Sequence, residues 1–233
     1  MQAEREETRE HEWYVPKFGP RRFRLLVGLS FFPYTLMNAS YVAIGSLLSP
    51  GANLGRMGGM VLVYLLAVGV AAHSLDAMAP NKPWGEFLSR RQLWALALAG
   101  LLPALALGLY YAIVFAPVLL PIGAVELFFL LAYNLELFGG RFHGDAWFAL
   151  SWGLLPVLAG FAVQTDSVSL VSLVGGLFGF STAYVEVSAS RPYKALKRQT
   201  SSSPLVPRLE AVLKGIVAVV LVTAAMLLVL RLG

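Results

Sequence analysis

The chain has 233 residues, 58% of them hydrophobic and 13% charged, with a mean hydropathy of +0.69. Soluble domains carry roughly 25% charged residues, so this composition excludes an ordinary soluble fold and points to an integral membrane protein. The absence of cysteine excludes a disulfide framework, a thiolate nucleophile and a Cys-ligated metal. The formal charge of +5 is no nucleic-acid signature, because the basic residues are distributed as membrane orientation requires.

Residues 1–20 read as a charged, mobile cytoplasmic arm with no apolar signal-peptide core, so no cleavage is expected. Arg21, Arg22 and Arg24 then mark a membrane surface, and residues 21–233 form the transmembrane domain. A hydrocarbon core about 30 Å thick takes roughly 20 apolar residues per helix. Runs that meet or approach this length occur near residues 23–48, 57–73, 92–111, 114–137, 146–163, 167–187 and 209–230. They predict an all-α, polytopic membrane bundle of about seven helices.

With seven spans, 16 of the 18 Lys and Arg residues fall on the side of the N-terminus, leaving only Arg56 and Arg231 opposite. The positive-inside rule therefore predicts a multi-pass protein of the cell membrane with a cytoplasmic N-terminus. Three polar loops share that face: HSLDAMAPNKPWG, GGRFHGD and SASRPYKALKR.

His73 and Asp76 lie three residues apart at a helix end, which turns them to the same side. Ionisable groups there usually face a bundle interior; the plainer reading has Asp76 cap the next turn. Asn81 and Lys82 follow in the loop. Arg191, Lys194, Lys197 and Arg198 have helical spacing that gathers them on one face, as phosphate ligands or as orientation anchors. Within the spans, Asn38, Glu126, Tyr184 and Glu186 are polar. A carboxyl in hydrocarbon is a functional hypothesis by default; with no basic residue at matching depth, Glu126 is read as protonated or bonded to Asn38 or a tyrosine, an interhelix bond being the structural counterpart.

Two stretches resemble the UbiA superfamily of intramembrane prenyltransferases: Ala72 to Gly85, AHSLDAMAPNKPWG, and Tyr133 to Gly160, YNLELFGGRFHGDAWFALSWGLLPVLAG. The family ends its second helix with Asn-Asp-x-x-Asp-x-x-x-Asp and a basic-Pro pair. His73, Asp76 and Pro80 fall on its three Asp positions, and Lys82-Pro83 on the pair. The second stretch matches the family's Tyr-x-x-x-Leu-Lys segment, polar loop and small-residue-Pro-x-x-x-Gly helix. The resemblance spans roughly residues 20–200.

The resemblance implies an apolar groove for an isoprenyl diphosphate, with Mg²⁺ held between two Asp-rich motifs. Here those motifs shrink to Asp76 and Glu186, and the family's nine helices to about seven. The implied catalytic residues are Asp76, His73 and Glu186, with Asp76 and Glu186 as Mg²⁺ ligands. The implied substrate contacts are Asn38, Asn81, Lys82, Glu126, Tyr133, Arg141, Tyr184, Arg191 and Lys194. The expected activity is transfer of an isoprenyl group to a lipid or aromatic acceptor. The alternative is a non-catalytic lipid- or quinone-binding or structural subunit, partnered by membrane lipids or a protein in a membrane complex. A transporter built around Glu126 is a third reading.

Overall fold

A computed structural model describes residues 12–78, 88–199 and 203–233, and the side chains of these apart from residues 198 and 199. Among the described residues every regular element is helical. We label α1 Arg21–Leu29, α2 Phe32–Leu47, α3 Leu54–Asp76, α4 Arg90–Val114, α5 Leu119–Asn134, α6 Asp145–Thr165, α7 Leu170–Gln199 and α8 Leu205–Leu232. Among the described residues six helices are long and apolar enough to cross a membrane: Arg21–Leu47 (α1 with α2), α3, α4, α6, Leu170–Lys197 of α7, and α8. The 16-residue α5 is apolar but shorter.

Local sequence explains where the helices break. α1 stops at Ser30, Phe31 adopts a left-handed φ of 45°, and Pro33 opens α2. Proline lacks the N–H that would continue the ladder, but it suits a first helical turn. The α4 N-terminus carries a reciprocal capping box between Ser89 and Gln92. Both α3 and α6 contain π-helical stretches, Leu65–Ala72 and Leu150–Leu154. α7 continues twelve residues beyond the span expected to end at Val187, with Pro192 inside it. Arg191 and Lys194 are thus helical rather than loop residues.

Glycines set the closest helix approaches. A Cβ on Gly45 or Gly160 would strike the backbone of α6 or α2 respectively, at Val157 and Val42. Gly153 of α6 and Gly179 of α7 meet in the same backbone-to-backbone fashion. Such small-residue contacts suit bundles in lipid, where packing replaces the hydrophobic drive between helices.

The expected mobile arm is corrected where it is described. Tyr14 and Val15 are buried with Leu25, Leu29 and Tyr34. Tyr14 stacks on Phe31, with centroids 5.0 Å apart, and Trp13 Nε1 donates to the Tyr34 hydroxyl at 3.2 Å. Lys197 lies 3.6 Å from the Glu12 carboxylate. Residues 12–18 therefore close one end of the bundle, because three consecutive large side chains, Trp13 to Val15, find an apolar seat beside the α1–α2 break.

Candidate functional site: a membrane cavity with a charged mouth

A cavity of about 850 Å³ lies between α3, α4, α5 and α6, reached by the start of α2 and the C-terminal part of α7. Its deep walls are apolar. α4 contributes Leu101, Ala104, Leu105, Gly108, Leu109 and Ala112, a single stripe of helical spacing. Leu109 and Leu120 line it and are also 50% and 47% exposed, so the cavity reaches the outer surface of the bundle between α4 and α5. Both π stretches line it, through Ala67 and Val68 in α3 and Ser151 and Trp152 in α6. π segments often accompany functional sites, as here they border the cavity.

One end of the cavity gathers most of its ionisable residues. His73 and Asp76 come from α3, Tyr133 from α5, and Glu186, Arg191 and Lys194 from α7. Arg191 organises this end. Its Nε lies 2.8 Å from Asp145 and its Nη2 donates 2.7 Å to the His143 carbonyl. Glu186 is 5% exposed and within electrostatic reach of Lys194. The Lys194 ammonium also sits 5.5 Å above the Phe31 ring.

His73 is buried, with Nε2 3.1 Å from Thr35 Oγ1. The Thr35 hydroxyl donates to the Ser30 carbonyl at 2.7 Å, which assigns the proton of that bond to His73 Nε2. His73 therefore ties α3 to the carbonyl freed at the α1–α2 break, in addition to lining the cavity.

Deeper in the cavity, the Tyr64 hydroxyl donates to Glu126 Oε1. The tyrosine partner for Glu126 is thus Tyr64, and Asn38 is elsewhere.

Three of the expected substrate contacts lie off the cavity. Asn38, 1% exposed, donates 2.8 Å from Nδ2 to the Trp152 carbonyl. Pro156, four residues on, has no N–H to offer that carbonyl, so Asn38 serves as its replacement. Tyr184 is 44% exposed on the outer face and stacks on Phe180. Arg141 is exposed in the loop before α6. Asn81 and Lys82 lie outside the described residues, as does the rest of 79–87.

Sequence reasoning missed His143, which stacks on Tyr133 at 4.2 Å with Nδ1 3.1 Å from the Tyr133 carbonyl. It stands in the polar loop GGRFHGD, where Arg141 drew attention by its charge.

Among the described residues no three His, Asp or Glu side chains converge into a metal-binding group. Asp76 and Glu186 both border the charged end. Two carboxylates suit Mg²⁺, a hard cation that keeps several waters and substrate phosphate oxygens in its remaining positions. They do not supply the two facing multi-Asp motifs that the family resemblance implies.

No family model, curated protein or solved structure matches this chain.

Proposed function

We propose that the chain is a divergent UbiA-type prenyltransferase of the cell membrane that seats an isoprenoid diphosphate with its tail in the cavity. The observation that carries this reading is the polarity of the cavity: an interior apolar but for Tyr64 and Glu126, ending in Arg191 and Lys194. An amphipathic anion matches that gradient, since the tail replaces lipid contacts and the head meets charge-assisted donors. Asp76 and Glu186 would hold Mg²⁺, which neutralises a diphosphate when bound. Arg191 and Lys194 attract and orient the head, and the apolar wall keeps water from the allylic carbon. A lipid or aromatic acceptor reaches that carbon through the opening near Leu109 and Leu120.

In this reading α5 is a seventh crossing. At about 1.5 Å per residue it spans about 24 Å, and the Val118 N–H at its start donates to Asp166 at the end of α6. Its other end lies beside His143, just before α6 begins. The N-terminus is cytoplasmic, on the side holding most of the cations.

The reduced carboxylate set favours a second reading, a non-catalytic lipid- or quinone-binding or structural subunit of a membrane complex. Purified protein in nanodiscs is given labelled geranylgeranyl diphosphate, Mg²⁺ and a lipid extract. Prenyl transfer establishes the enzyme; Mg²⁺-dependent binding without transfer to any acceptor establishes the second reading. Absence of binding removes the enzyme reading and leaves the non-catalytic one.

A further inference from the structure

Tyr64 and Glu126 are not used by the head-group end of the cavity. Tyr64 stands twelve residues before Asp76 on α3, and Glu126 seven before Tyr133 on α5. At about 1.5 Å per residue these offsets place the pair about 10–18 Å deeper than the charged mouth. Both side chains line the cavity, and Tyr64 is 5% exposed.

The hydrogen bonding at this point is lopsided. As a carboxylate Glu126 offers about four acceptor positions, and as the acid one O–H donor besides; among the described residues the Tyr64 hydroxyl is the group that bonds it. Tyr64 has given its only proton to that bond, so toward the cavity it offers only an acceptor. No Lys or Arg lies on α3 between Met57 and Asp76, and none on α5. The cavity thus holds an acceptor-rich spot among apolar walls, where an unmet carboxyl is costly.

We propose that Tyr64 and Glu126 form a second binding subsite, which takes a hydroxyl or amine donor carried by an amphipathic molecule inside the hydrocarbon region. The ligand class follows from Glu126 as a carboxylate facing the cavity: an O–H or N–H group attached to an apolar body, such as a lipid alcohol or a phenol. An ester, ether or alkane of the same shape leaves the carboxyl unpaired and binds less well. This subsite rests on the cavity and not on the diphosphate reading.

The probes are 4-octylphenol and its methyl ether, 4-octylanisole. Both are neutral and phosphate-free, so they report on this subsite whether or not any diphosphate binds at the mouth. Binding is followed at pH 9.5, where the subsite is a carboxylate and the phenol keeps its proton, by tryptophan fluorescence, because Trp152 lines the same cavity. The native chain is expected to bind the phenol roughly tenfold more tightly than the ether, the size of one hydrogen bond. Glu126→Leu is expected to bind the two alike, whereas Tyr64→Phe retains the preference because Glu126 still accepts. If Glu126→Leu does not fold, Glu126→Gln serves: its amide N–H donates to the ether oxygen and narrows the gap. Equal affinity for phenol and ether in the native chain overturns the proposal, and so does an undiminished preference in the Glu126 variants.

Discussion

The side-chain amide of Asn38 on α2 donates 2.8 Å to the backbone carbonyl of Trp152 on α6, at the place where Pro156 withholds the usual helical donor. A carbonyl left unbonded in a membrane interior is costly, so an interhelical side chain substitutes for the missing N–H. Asn38→Ala should destabilise the bundle by about 1–3 kcal/mol, the cost of an unsatisfied buried acceptor. In a Pro156→Ala background the loss should be smaller, since an alanine at that position supplies the N–H. Thermal or denaturant unfolding in detergent across the native chain, the two single variants and the double variant tests this, and strictly additive losses would refute the coupling.

The close approach of α6 and α7 allows a second measurement. Gly179→Leu should cost about 3 kcal/mol, because a side chain there meets the Gly153 backbone rather than a movable side-chain tip. Gly58→Ala is the control: nothing lies within 4 Å of a Cβ there, and it sits on an outward face of α3. It should be neutral or slightly stabilising, since alanine favours helix by about 1 kcal/mol. Equal thermal shifts for the two variants would contradict the packing.

The segment at residues 12–18 should contribute to stability. Tyr14→Ala should lower it by about 3 kcal/mol, as for a buried aromatic side chain. Phe18→Ala, 72% exposed, should have little effect. Protease nicking between residues 12 and 20 should accelerate in Tyr14→Ala alone. Nicking at the same rate in the native chain would show that this segment does not hold the bundle end.

Orientation is accessible by labelling, because the native chain has no cysteine background. Phe18→Cys and Gly51→Cys are both at exposed positions, and a Cβ on Gly51 meets no neighbour. Membrane-impermeant maleimide should label Gly51→Cys from outside intact cells, and Phe18→Cys only after lysis. Labelling of both from outside would overturn the topology.

Arg191 and Lys194 should differ in their response to mutation. Lys194→Ala removes a cation from the cavity mouth and should weaken diphosphate binding by about 1.5–3 kcal/mol, the range for a hydrogen bond to a charged group. Arg191→Lys retains charge but loses the fork that joins Asp145 and the His143 carbonyl. It should therefore weaken binding and lower the unfolding temperature together. Calorimetric titration and thermal unfolding on the same preparations separate the two effects.

Membrane class, helical composition and the positions of most helices are legible in the chain alone, because length and hydropathy are local properties. The polar groups within or beside the apolar runs stand out for the same reason, each being conspicuous against hydrocarbon. Which of those groups meet is not legible. Asn38, Glu126 and Tyr184 all read as polar residues in apolar helices, yet one replaces a proline-lost donor, one lines the cavity and one stands on the outer face. The difference is the rotation of each helix about its axis and its depth against its neighbours. These are fixed by the Gly45–Val157, Gly160–Val42 and Gly153–Gly179 backbone approaches and by the π stretches that shift helical phase. The seating of Trp13 to Val15 and the pairing of Tyr64 with Glu126 are likewise tertiary. They join residues on separate elements, far apart in the chain, and no local pattern records such a match.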